Sequence, residues 1–265
     1  MPHIVIATDF SDNSLHAAEY AVALLGPTSN RYTLLHACTL AHSTMPIATP
    51  ELLSAAREQL GEFTGRFRMR TGADDVREEV HFGNLPAVVN DLSKEEGAQL
   101  VVVGNRGRTG TVPFGSNAVH LIQESCIPVL AVPGTAPIKP VERILLADDY
   151  GDILPRHLEV LRSIATLNRS EVLVVHEGIP IIGSAPTWRK GTYGFSLRDI
   201  KHSFHDVLGK DVVEGLDRLA HTQHADMVAV VHRHIGAIGR LFHPSTAKEL
   251  ARHADLPLLV LQDTD

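Results

Sequence analysis

The feature that most constrains this chain is an internal repeat. The stretch IVIATDF (residues 4–10) returns as ILLADDY (144–150), and LLHA (34–37) returns as VVHE (174–177), both displaced by 140 residues. Two features sharing one displacement mark a duplicated unit, and a duplicated unit folds twice in the same way. Further on, LVVVG (100–104) matches MVAVV (227–231) at a displacement of 127, and IPVLAV (127–132) matches LPLLVL (256–261) at 129. The second copy therefore drops 13 residues after its second strand and regains two before its last. Residues 134–140, GTAPIKP, carry the Gly and Pro of a linker. This places two domains, at 1–137 and 138–265.

Within the first copy, short Val/Ile/Leu runs alternate with longer segments of helical period. The pattern predicts strands at 3–8, 32–38, 76–82, 99–104 and 128–133, and helices at 12–25, 50–70, 85–96 and 116–124. Unbroken apolar runs such as Leu100 to Val103 suit a strand buried on both faces, hence a parallel sheet covered by helices. The fold class expected is α/β, two tandem doubly wound units, each with a five-stranded parallel sheet flanked by helices. In the second copy, residues 178–194 are rich in Gly and Pro, so the missing residues come mainly out of the second helix, leaving a short remnant near 195–202.

In open parallel sheets, ligands bind outside the carboxyl ends of the strands, where strand order reverses. Asp9 directly follows the first strand, where its carboxylate either accepts a hydrogen bond from a ligand or, with Ser11, starts the next helix. After the fourth strand comes GNRGRTGTVPFGSN, with Gly104, Gly107, Gly110 and Gly115 followed by Ser116, Asn117 and a helix. Glycines permit close backbone approach, and free N–H groups at a helix start form an anion site. The same residues also suit an ordinary strand-to-helix connection. Arg106 and Arg108 either add charge there or are solvated.

These residues resemble the universal stress protein family in its tandem form, the resemblance covering nearly all of both halves. The family's phosphate motif reads Gly, two residues, Gly, nine residues, Gly, then Ser or Thr. Gly104, Gly107, Gly115 and Ser116 follow it with seven residues in the second gap. The resemblance implies an adenine nucleotide alpha hydrolase-like fold and an ATP site, with Mg²⁺ accompanying the nucleotide. In that site Asp9 contacts adenine or ribose, the Ala37 backbone the base, Gly104 and Gly107 the ribose and α-phosphate, and Gly115, Ser116 and Asn117 the distal phosphates. It implies a regulatory, ATP-responsive binding protein with at most weak hydrolysis, acting through a protein partner, whose two halves pair within one chain as single-domain members pair between chains; homodimers of the whole chain are a further option.

The second copy carries Val231, His234 and Pro244 where the motif has glycines, keeps Ser245, and has Glu177 for Ala37 and Asp149 for Asp9. Side chains there obstruct the backbone approach a nucleotide needs, and Pro244 removes an N–H donor, so only the first half is expected to bind. Ten of the 16 histidines lie in this second half, including the pairs His202/His205, His221/His224 and His232/His234. Such spacings open a metal-binding or hydrolytic reading, although no cysteine joins them and three or four ligands must converge. His36 and His176 end equivalent strands, which shared ancestry explains. No Walker lysine, nucleophile elbow or HExxH motif is present. A binding module is therefore favoured over a catalyst, with a nucleotide-free scaffold as the alternative.

A net charge of −7 argues against a nucleic-acid partner. No apolar run reaches the roughly 18 residues a membrane span requires, and the opening MPHIVIATDFSDNS lacks a basic leader. Two cysteines, Cys38 and Cys126, form no disulfide framework. The expected location is cytoplasmic.

Overall fold

The apolar runs of both copies become parallel strands in the computed structural model, which describes residues 2–28, 30–38, 50–105, 115–148, 153–177, 193–207, 212–232 and 256–263. The chain divides into two units, Met1–Ile138 and Lys139–Asp265. The first runs β1 (His3–Ala7), α1 (Asp12–Leu25), β2 (Arg31–Cys38), α2 (Pro50–Thr71), β3 (Val76–Phe82), α3 (Leu85–Glu96), β4 (Ala98–Gly104), α4 (Ser116–Glu124) and β5 (Val129–Val132). Its strands lie in the order β3-β2-β1-β4-β5, every pair parallel. The order reverses between β1 and β4, so the crevice beyond their carboxyl ends is the switch point of a doubly wound sheet.

The core follows from the sequence pattern. Val5, Ile6, Leu34, Leu35, Val101 and Val102 are fully buried in the central strands, because helices cover both sheet faces. Ser11 caps α1, its hydroxyl accepting the Ser14 N–H at 3.1 Å. Gly97, in the left-handed conformation at φ 71, ends α3, a geometry that glycine adopts without a Cβ penalty.

The second unit runs β6 (Arg143–Asp148), a 3-10 turn (Pro155–Leu158), α5 (Glu159–Asn168), β7 (Glu171–Glu177), β8 (His202–Val207), α6 (Val212–Thr222), β9 (Met227–His232) and β10 (Leu258–Gln262). Its strand order, β10-β9-β6-β7-β8, repeats that of the first unit. Registers tie the copies together residue by residue: Ile4 pairs with Leu100 as Ile144 pairs with Met227, and Val101 with Val129 as Val228 with Leu258. These are the displacements 140, 127 and 129 read from the sequence.

The third strand refines the deletion. Tyr32 pairs with Val76 and its equivalent Val172 with His202, a displacement of 126, so 14 residues are lost before β8 and one is regained before β9. The remnant helix expected near 195–202 is instead a helical turn at 193–196, and His202 already belongs to β8. The deletion is one residue longer than expected, so the strand starts sooner.

Candidate functional site

At the switch point of the first unit, four separated segments meet. Ala7, Thr8 and Asp9 leave β1, His36 and Ala37 end β2, Gly104 ends β4, and Gly115, Ser116 and Asn117 begin α4; together they line a cleft of about 570 Å³, part of it open to solvent, with Leu85 and Val103 as apolar walls. Six of the seven residues singled out from the sequence thus share one cavity. Gly107, with Arg106 and Arg108, lies outside the described residues.

Asp9 takes up the helix-starting role that the sequence allowed and also borders the cleft. One carboxylate oxygen accepts the Ser11 N–H at 3.1 Å, an Asx turn that leads into the α1 cap, while the side chain still lines the cleft. Thr8 is held from both sides: its N–H donates to the Leu35 carbonyl at 2.9 Å, and its hydroxyl accepts the Phe10 N–H at 2.9 Å. Since Ser14 Oγ donates to the Ser11 carbonyl at 2.8 Å, the 2.9 Å contact between the two hydroxyls has Thr8 as donor. These hydroxyls are engaged in structure.

The far end of the cleft is the start of α4. Gly115 is its N-cap, and its own N–H donates to the Asn105 carbonyl at 2.6 Å. Having no side chain, Gly115 cannot cap the next turn. The N–H groups of Ser116, Asn117 and Ala118 make no hydrogen bond among the described residues. Three unclaimed donors at the positive end of a helix are what an anion binds.

Gly104 has a reason of its own to be glycine. A Cβ there would run into Asn13 Nδ2 and stand 3.2 Å from the Asn13 backbone oxygen. Gly134 flanks the same side chain, 2.6 Å from Asn13 Oδ1 by the same construction. The two glycines let α1 press against the sheet, a packing role that sequence reasoning did not identify.

Two further residues were missed. Phe10 stacks on His36 with ring centroids 4.3 Å apart, and His36 Nδ1–H donates to the Thr8 carbonyl at 2.8 Å. Phe10 has a φ of 65, uncommon for a bulky residue. Adjacency to Asp9 was the available signal for Phe10, and the LLHA repeat for His36.

The second unit treats equivalent positions differently. Val231, paired with Leu261 as Gly104 is with Val132, is 2% exposed. His176 is 1% exposed, stacked on Phe204 at 5.9 Å and met edge-on by Tyr193 at 6.4 Å. Asp149, His234, Pro244 and Ser245 lie outside the described residues. Of the histidine pairs, His202 and His205 fall three apart on strand β8, which sends them to opposite faces. His202 Nδ1–H donates to the Ile200 carbonyl at 2.8 Å, and His205 Nε2 meets Ser203 Oγ at 2.9 Å. Among the described residues no three His, Cys, Asp or Glu side chains cluster as a metal site would require, and no helix is long and apolar enough to cross a membrane.

Comparisons with known proteins agree on one family. The model of the universal stress protein family matches residues 1–133 and 198–262. Universal stress protein G of Salmonella typhimurium is 26% identical over 137 residues, taking in 50% of this chain and 95% of the relative. The match to Universal stress protein G of Shigella flexneri, at 40% identity over 58 residues, takes in only 41% of that relative. The crystal structure of a universal stress protein from Archaeoglobus fulgidus covers 99% of this chain and 97% of its own at a TM-score of 0.75 and 18% identity. That likeness extends the adenine nucleotide alpha hydrolase-like fold over the chain.

Proposed function

From the premise that this chain belongs to the universal stress protein family, we propose that its first unit binds ATP, with Mg²⁺ on the phosphates, and serves as a regulatory nucleotide-binding module. One observation carries the reading: Asp9, Ala37, Gly104, Gly115, Ser116 and Asn117, distant in sequence, line one cleft whose far end offers three N–H donors unclaimed among the described residues. The base lies at the Asp9 and Ala37 end, and the phosphates lie at the start of α4, reinforced by the Ser116 hydroxyl. Mg²⁺ takes few protein ligands when phosphates supply its oxygens, so the absence of an acidic cage among the described residues is compatible with it.

Binding rather than turnover fits the hydroxyls. Thr8, Ser11 and Ser14 hold one another and the start of α1, leaving none poised as a nucleophile. The second unit is a structural partner, its equivalent of the cleft's His36 being covered by Tyr193 and Phe204. A protein partner then reads the nucleotide state of the first unit, in a cytoplasmic setting.

Calorimetric titration with ATP and Mg²⁺ tests this directly. One site per chain is expected. No heat at millimolar ATP overturns nucleotide binding, and two sites per chain overturn the assignment to the first unit alone.

A further inference from the structure

Resting on the nucleotide reading above, we infer that His36 is a positioning residue that holds the Ala37 backbone open for a purine base edge, so that the selectivity for adenine depends on it. In the parallel ladder, alternate residues of β2 address opposite neighbours. Tyr32 donates toward β3, to the Asp75 carbonyl at 2.9 Å, and Leu35 accepts from β1, from the Thr8 N–H at 2.9 Å. Ala37, two residues beyond Leu35, therefore turns its N–H and C=O to the β1 side.

The next rung of that ladder would be the Ala37 N–H donating to the Thr8 carbonyl. It is missing among the described residues. The Thr8 oxygen is met instead by His36 Nδ1–H at 2.8 Å. Phe10 then turns the chain out of the sheet at a φ of 65, with its N–H on the Thr8 hydroxyl, so β1 offers Ala37 no later partner. Phe10 also stacks on the His36 ring at 4.3 Å and meets Phe63 edge-on at 6.4 Å. The imidazole is thereby fixed in the orientation that meets Thr8, and the sparsely populated backbone at Phe10 serves that arrangement.

An N–H beside a C=O, neither of them bonded among the described residues, matches the edge of adenine, whose ring nitrogen accepts and whose amino group donates. Hypoxanthine presents the reverse pattern, an N–H against the N–H and an oxygen against the C=O. Sites that hydrogen-bond a polar edge reject such reversed partners strongly, because buried groups are left unpaired.

The test uses the full chain and three forms: wild type, His36→Phe, which keeps an aromatic ring for Phe10, and His36→Asn, which places an N–H where Nδ1–H stood. Hydrogen exchange of the Ala37 amide is read first, without nucleotide. It should be unprotected in wild type and in His36→Asn and become protected by about tenfold or more in His36→Phe, as the missing rung forms. Affinities for ATP and inosine triphosphate are read next. His36→Phe should lose about tenfold in ATP affinity and most of the preference for ATP, with His36→Asn retaining both. Protection of the Ala37 amide in wild type overturns the inference, as does a His36→Phe variant with unchanged exchange and unchanged preference. If wild type binds neither nucleotide, the nucleotide reading falls, and the exchange measurement still decides whether His36 holds Ala37 open.

Discussion

His36 and His176 end equivalent strands at the same register, yet one lines a cleft and the other is 1% exposed. The difference comes from the crossover that follows each strand. In the first unit the chain goes on to a 22-residue helix, α2, whose Phe63 reaches only the edge of Phe10. In the second, the shortened crossover brings Tyr193, 2% exposed, against His176, while Phe204 of β8 stacks on it. The second copy thus covers its equivalent of His36 through a shortened crossover and a changed strand residue, Phe204 of β8 standing where β3 has Glu78. Deletion in the crossover, as much as decay of the glycine motif, separates the two copies.

The largest test of that comparison is Tyr193→Ala. Removing a buried aromatic costs about 3–5 kcal/mol, so denaturant unfolding of the second unit should shift strongly. Binding should nevertheless stay at one ATP per chain, because Val231 remains; a second site would mean that Tyr193 alone closes the crevice.

Gly104→Val gives the first unit the residue of the second. The added Cβ runs into the Asn13 side chain, and overpacking of this kind costs about 1–3 kcal/mol. ATP affinity should fall as α1 and the end of β4 separate. Combining it with Asn13→Ala should recover part of the stability, because the backbone oxygen at 3.2 Å remains in the way. Full recovery would show that the side chain is the whole obstacle.

Gly115→Asp separates stability from binding. A carboxylate at the N-cap of α4 satisfies one of the unclaimed N–H groups and gains a few tenths of a kcal/mol over glycine. The same charge occupies and repels at the proposed phosphate position, so ATP affinity should drop by about tenfold or more. A stabilised variant with unchanged affinity would remove the phosphates from the α4 start.

The smallest effect concerns position 3, which is His3 in one unit and Arg143 in the other. Burial pushes the His3 pKa below the ordinary imidazole value of 6.5, outweighing its hydrogen bond to the Glu96 carbonyl. The unfolded chain therefore binds the proton more readily than the folded one. His3's contribution is complete above pH 6.5 and is lost as the pH falls below that value toward the lower folded pKa. The melting temperature of the first unit should decline across that window, and His3→Gln should flatten the decline. Equal slopes in both proteins would assign it to other groups.

The fold was largely legible because burial on both faces leaves an unmistakable mark. The apolar runs located nine elements of the first copy to within a residue or so at each end, from β1 through β5. The 126 displacement at β8 was not legible, since HSFHDV alternates polar and apolar residues and offers no apolar run to align with VREEVHF. At the site, Asp9 and the Gly115 to Asn117 segment stood out through residue type. Phe10 and His36 did not, because their part depends on a stacking distance and on which carbonyl an imidazole reaches.

Periodicity and composition were enough to specify the duplication and the doubly wound units, and residue type marked Asp9 and the glycine-rich segment through Gly115 to Asn117, while Ala37 was implied only by the family resemblance. Only the tertiary structure decided that Gly104 yields to Asn13, that Tyr193 covers His176, and that His36 takes the Thr8 carbonyl from Ala37. Each of these is a contact between segments far apart in sequence or a choice between competing hydrogen-bond partners, and such choices are settled by packing rather than by propensity.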